Sequence, residues 1–237
     1  GKIFFEIDPT LKENQKISDI SLAPLNARGK VAFSSNFYIL RPTSSSKRNG
    51  TVLYEVANRG RKGMLGMFNL AKGSLDPRSS SAFGDGFLLN QGFTLAWLGW
   101  QFDIPPGKKL LRLTAPIATE GENSITGLVR SEFVPNKKVL SFSLADRNMP
   151  VVYPALDIDE QNPKLTVREL TDGPRKIIPR HLWKFGQLKN GRFSVSRTHI
   201  FLPTGFNKGR IYELVYPAKN PMLVGLGLAA TRDFISF

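Results

Sequence analysis

The sequence predicts an α/β fold that carries an antiparallel, β-rich insertion. Three observations predict it. Residues 51–100 run strand, glycine-rich loop, helix, Gly exit and strand; the middle of the chain is a series of short strand-like runs cut by Pro, Gly, Asn and Asp; and helical character returns near the end. The expected organisation is a core over 1–110, an insertion or subdomain over 111–203, and a return to the core over 204–237.

Element by element, "GKIFFEID" and "KVAFSSNFYILRP" mix aromatic and β-branched residues with partial alternation, the mark of strands. The polar stretch Ser44–Gly50 ends in an Asn-Gly turn signal. "TVLYEVA" (Thr51–Ala57) follows with few polar residues, as a strand covered on both faces would. In "GDGFLLNQGFTLAWLGW", Phe87-Leu88-Leu89 reads as the apolar end of a helix and Gly92 as its left-handed exit. "FTLAWLGW" then resumes as a buried strand, so the pair of strands should be parallel, with a helix on one face. In the middle, "LLRLTAPIA", "GLVRSEFVP", "KVLSFSL", "KLTVREL" and "GRFSVSRTHIFLP" read as short antiparallel strands. From Gly209 the helical signal returns: "GRIYELVYPAKNP" leads into a closing helix with Asn220 as cap and Pro221 in the first position.

Composition narrows the function classes. Hydrophobic residues at 41% and charged residues at 22% describe a globular chain long enough to bury a core. No apolar run approaches the roughly 20 residues of a membrane-spanning helix. The absence of cysteine excludes disulfides, a thiol nucleophile and thiolate metal sites. The net charge of +14 is spread evenly: residues 1–120 carry 16 Lys/Arg against 9 Asp/Glu, and residues 121–237 carry 17 against 10, so each half has +7. A nucleic-acid footprint concentrates charge on one element or face, so no specific nucleic acid is expected. A basic, cysteine-free chain that begins at Gly1 without Met fits a bacterial envelope or secreted location.

Several motifs fail as sites. Gly225-x-Gly227-x-x-Ala230 has the outline of a dinucleotide turn, but only "MLV" separates Pro221 from Gly225, too short for the preceding strand. No G-x-S-x-G pentapeptide occurs. His181 and His199 have no metal-ligand spacing, and His199, in a strand-like run, reads as a hydrogen-bonded structural histidine. Asp157–Glu160, "DIDE", lacks the spacing of a calcium loop and reads as a solvated acidic turn. Neither a metal nor a cofactor is expected.

Two stretches remain. "ANRGRKG" (Ala57–Gly63), directly after a buried strand, is either a simple strand-to-helix connection or a loop whose main-chain N–H groups turn towards an anionic or oxyanion ligand, reinforced by its arginines. At the end of the next strand, Trp100 and Gln101 either line a ligand pocket or pack, whereas Trp97 reads as core.

Together "ISLAPLNARGKVAFSSNFYILRP", "GTVLYEVANRGRKG", "GDGFLLNQGFTLAWLGWQFDIPPG" and "GRIYELVYPAKNPMLVGLGLAATRDFISF" resemble, in order and across nearly the whole chain, the N-terminal part of a bacterial family of α/β-hydrolase-domain proteins. The resemblance implies a partial α/β-hydrolase sheet with early strands and two helices. It makes "TVLYEVA" the third sheet strand and "FTLAWLGW" the fourth, and it sets Asn58, Arg59 and Gly60 where such enzymes hold one oxyanion-hole amide. It also implies that the closing helix precedes a nucleophile strand, so that the Ser elbow, acid and base would lie beyond Phe237. The expected partners are then this missing C-terminal half and a small ester-like substrate, and no catalytic residue is expected within the chain. The competing expectation is a non-enzymatic β-rich protein that binds a polyanion or glycan.

Overall fold

The computed structural model describes residues 1–105, 107, 109–145 and 152–236. Phe237, beyond which the resemblance sets the nucleophile strand, lies outside them. The chain forms two compact units, one of residues 1–118 with 222–237 and the other of residues 119–221.

The first unit is built on β1 (Lys2–Ile7), β2 (Val31–Leu40), β3 (Val52–Glu55), β4 (Thr94–Leu98) and the short β5 (Leu113–Thr114). Strand order is β1-β2-β4-β3, with β5 added to β2. The β3–β4 pair is parallel, with Val52 opposite Thr94 and Glu55 opposite Trp97, and the other pairs are antiparallel. The parallel pair expected from residues 51–100 therefore forms, but the helix expected beside it does not. The connection contains only α1 (Met64–Phe68), α2 (Ser80–Phe83) and α3 (Phe87–Asn90), each about one turn long. Gly63, Gly66, Gly73, Gly84 and Gly86 interrupt it, and glycine costs a helix interior up to about 1 kcal/mol relative to alanine. Ala57, Met64, Leu65, Leu88, Leu95, Trp97 and Leu111 form the core here. The sheet ends at β3, which among the described residues pairs with no strand but β4, and Val52 stays 59% exposed.

The same unit ends in α4 (Leu226–Ser236). Phe234 lies against Phe37 and Tyr54, and the Tyr54 hydroxyl meets that of Thr231 at 3.3 Å. The glycine pattern of 225–230 is explained by packing. A Cβ on Gly227 would stand 1.9 Å from the Trp100 carbonyl oxygen, and Gly225 has φ +95°. Residues 220–224, directly before Gly225, form no strand; Met222 makes one isolated bridge to Ile117.

The second unit is antiparallel throughout. Its strands are β6 (Thr119–Glu120), β7 (Asn123–Ser124), β8 (Thr126–Phe133), β9 (Val139–Ser143), β10 (Lys164–Arg168), β11 (Lys176–Ile178), β12 (Lys184–Lys189), β13 (Arg192–Phe206) and β14 (Ile211–Lys219). One sheet has the order β11-β10-β14-β8, a second has β12-β13-β9, and β6–β7 is a small hairpin. The two larger sheets bury one core between them, with Phe133, Leu165, Tyr212, Leu214 and Tyr216 from the first and Phe185, Ile200, Leu202 and Phe206 from the second. Phe133 meets Phe206 edge-on at 5.2 Å, an arrangement aromatic quadrupoles favour. On the opposite face of the first sheet, Arg130, Arg168 and Arg175 all pair with Glu213, and Arg168 also pairs with Glu132 at 2.6 Å.

These findings overturn the expected α/β fold. The protein is mostly β-sheet, 38% strand against 16% helix, with several antiparallel sheets rather than a hydrolase-like mixture of sheet and helices. The stretch from Gly209 is not helical. Tyr212, Leu214, Tyr216 and Ala218 alternate into the core as β14, whose full register with β8 and β10 holds 204–221 in the second unit. The chain re-enters the first unit at 222, not 204.

Candidate functional site

The loop that follows β3 is held by an unusual density of polar contacts. Glu55, the last residue of β3, turns its carboxylate onto the backbone N–H groups of Gly63 (3.1 Å) and Met64 (2.8 Å), and it also accepts a hydrogen bond from the Trp97 indole. A carboxylate over the orphan N–H groups of a first helical turn satisfies donors that nothing else in the turn can satisfy. This fixes the far end of the loop. Its near end is fixed by the Trp100 indole, which donates to the Ala57 carbonyl at 2.8 Å.

Between those anchors Arg59 takes a left-handed backbone (φ 52°, ψ 38°), rare for a residue with a Cβ. Such strain, on the order of 1–3 kcal/mol, persists only when its surroundings over-determine it. Here they do. The Arg59 guanidinium binds Asp103 twice, through Nη1 to Oδ2 at 2.6 Å and through Nη2 to the Asp103 carbonyl at 2.8 Å. Gly60, also left-handed at φ 72°, accepts from the Leu111 N–H at 3.0 Å, and a Cβ there would stand 2.2 Å from the Leu111 oxygen. With side chain and following residue both pinned, the Arg59 N–H is aimed at one atom, the side-chain oxygen Oε1 of Gln101, at 3.0 Å.

The residues singled out by the sequence therefore divide. Arg59 and Gln101 meet directly. Gly60 sets the backbone that aims the Arg59 amide. The side chain of Asn58 is exposed, and its carbonyl closes the turn by accepting from Arg61 N–H at 3.2 Å. Trp100 braces the loop and, with Gln101, lines a small apolar pocket of about 220 Å³ whose other wall is Leu223–Leu228. That is below the usual 300–1,000 Å³ of a ligand pocket, so only a small group fits. The loop's other cations do not gather on a ligand: Arg61 faces solvent, whereas Lys62 is buried, donates to the Leu75 carbonyl at 2.7 Å and sits 5.1 Å above the Tyr38 ring. Burial pushes the Lys62 ammonium below its ordinary range, with Asp76 opposing the shift in part.

Glu55 and Asp103 escape a sequence reading based on glycines and arginines. For Glu55 a signal exists: it is the one charge inside the apolar run "VLYEVA". For Asp103 the signal is weaker, an acid shortly after the strand that packs beside the loop.

Elsewhere the histidines do not form a reaction centre. His199 lies on β13 beside Ser196 Oγ (3.3 Å) and Thr198 Oγ1 (3.1 Å), with no carboxylate among the described residues to orient it, and burial lowers its pKa. His181 is exposed in a single 3-10 turn. In the acidic turn, Asp157 accepts from the Asp159 N–H at 2.9 Å, and no group of three potential metal ligands occurs among the described residues. Comparison of the chain with protein-family models, with curated proteins and with solved structures found no match.

Proposed function

We propose that this chain is the carbonyl-holding part of a serine hydrolase acting on an ester-like bond, with the nucleophile, acid and base supplied by residues outside these 237. The observation that carries this is the Arg59 amide: a main-chain donor in a left-handed backbone, locked by the Asp103 pair and by the Gly60–Leu111 contact, and already donating to an sp² oxygen. The carboxamide oxygen of Gln101 is the same kind of acceptor as an ester carbonyl. When a serine attacks such a carbonyl, negative charge develops on its oxygen while a histidine takes the serine proton. A pre-aimed N–H stabilises that charge without reorganising, and one such donor is worth about 10² to 10³ in kcat. Gln101 then acts as a placeholder that keeps the donor satisfied until substrate oxygen replaces it. The stretches quoted above for the hydrolase-domain resemblance, and the outer side of β3, unpaired among the described residues, support a reaction centre completed by further chain.

The test is activity-based labelling. The natural, uncut protein should react with a fluorophosphonate at a single serine outside residues 1–237, and the Asp103→Asn variant, which removes the charge from the Arg59 clamp, should react roughly ten times more slowly. Absence of labelling in the natural protein would remove the hydrolase reading.

A further inference from the structure

The second unit contains a larger cavity, of about 560 Å³, within the range of small-molecule sites. It lies between the β10–β11 hairpin on one sheet and β13 on the other, and β13 is shaped to open it. Phe201 pairs with Ser141 and Phe206 with Val139, so five steps along β13 face two along β9, which leaves three extra residues in the bulge. Gly205, at φ +87°, makes that bulge possible, and a Cβ there would stand 2.5 Å from Lys138 Cε. Bulges of this kind re-aim side chains next to binding sites. Here Leu202 and Thr204 are turned to the cavity.

Its walls and rim differ in character. Val167, Ile178 and Leu202 supply apolar surface. Lys176, Thr204 and Asn207 supply side-chain polar groups that make no hydrogen bond or ion pair among the described residues. Of the other charged residues at the cavity, Arg168 is paired with Glu132 and Glu213 and Arg210 with Glu169, so Lys176, which Glu169 feels through space, is the one cation there without an ion pair among the described residues. Tyr212, 3% exposed, accepts the Asn207 N–H at 2.8 Å through its hydroxyl, and that hydroxyl's own proton has no acceptor among the described residues.

From this arrangement we infer that the cavity binds a small amphipathic carboxylate, its hydrocarbon part between the β10–β11 hairpin and the β13 bulge and its carboxylate at Lys176, with the Thr204 hydroxyl and the Asn207 amide as further donors. One unpaired cation selects a monoanion over a polyanion, and the apolar walls select a hydrocarbon body over a sugar.

The experiment is calorimetric titration of the full chain with decanoate and, separately, with decanol, both below their aggregation limits. Decanoate should bind saturably, one per chain, and decanol roughly tenfold or more weakly. Lys176→Glu, at an exposed position, should weaken decanoate by a similar factor. Thr204→Trp, also exposed, should fill the mouth and abolish binding while circular dichroism stays unchanged. Absence of saturable decanoate binding, decanol binding as tight as decanoate, or decanoate binding unaffected by both substitutions would each overturn the assignment.

Discussion

The Glu213 cluster of the second unit and the loop after β3 of the first use their polar groups differently. Around Glu213, charge is committed to charge: Arg130, Arg168 and Arg175 converge on it, and the apolar residues of two sheets close on each other. In the loop after β3, polar side chains are committed mostly to backbone. Glu55 holds two main-chain N–H groups, Trp100 holds a carbonyl, Gln101 holds the Arg59 amide, and Asp103 holds the arginine whose backbone is strained. Paired charges around a closed core stabilise a fold. Side chains spent on shaping one loop stabilise a geometry, and a strained geometry held so firmly is the usual companion of a binding or reaction site.

The sharpest way to break this contrast is in the second unit. Phe206 is fully buried and packs against Phe133 and Tyr212 at 5.2 and 4.9 Å. Phe206→Ala should cost about 3–5 kcal/mol by chemical denaturation, with hydrogen exchange rising in 119–221 and little changed at Arg59. Next, Glu213→Gln should cost about 2 kcal/mol, because Arg168, whose side chain is only 4% exposed, loses a charged partner. The same carboxylate sets a pH dependence. Hydrogen bonding to Arg175, above all, holds the Glu213 carboxyl below its ordinary value of 4.5. Its folded pKa is thus the depressed one, so the stabilisation is complete above about pH 4.5 and disappears as pH falls through the lower folded value. Acid titration should therefore unfold the wild type progressively below that pH, and the Glu213→Gln variant should show a flatter profile there.

A smaller effect is expected in the first unit. Gly60→Ala places a Cβ against the Leu111 oxygen at a left-handed residue, and should cost about 1–3 kcal/mol. Unlike Phe206→Ala, it should speed exchange of the Arg59 and Leu111 amides first. If both substitutions loosened both units equally, the contrast between them would fail.

Local strand character was legible, and long-range assembly was not. "GKIFFEID", "TVLYEVA" and "FTLAWLGW" are strands because aromatic and β-branched residues are dense there, and the parallel β3–β4 pair could be read from the segment between them. "GRIYELVYPAK" sits where the helical signal returns, although its period of two is plain in Tyr212, Leu214, Tyr216 and Ala218. A helical context on its C-terminal side outweighed the alternation, and the domain boundary moved with it. Fold class was lost in the same way, since one-turn helices in a glycine-rich connection carry the pattern of a helix without its length. At the site, the turn-forming glycines of 57–63 are visible in the sequence. The Gln101 oxygen on Arg59 and the Asp103 clamp join positions more than forty apart, and nothing in local spacing encodes such a pairing.

The central claim is that the Arg59 amide is aimed by its own loop and not by the side chain it happens to hold. Backbone NMR of the Gln101→Ala variant tests this directly. The account expects the Arg59 amide to lose its protection from exchange while its chemical shifts keep the left-handed signature and Asp103 stays paired. Relaxation of Arg59 to an ordinary right-handed or extended backbone in that variant would contradict it, because the donor would then have been shaped by Gln101 alone.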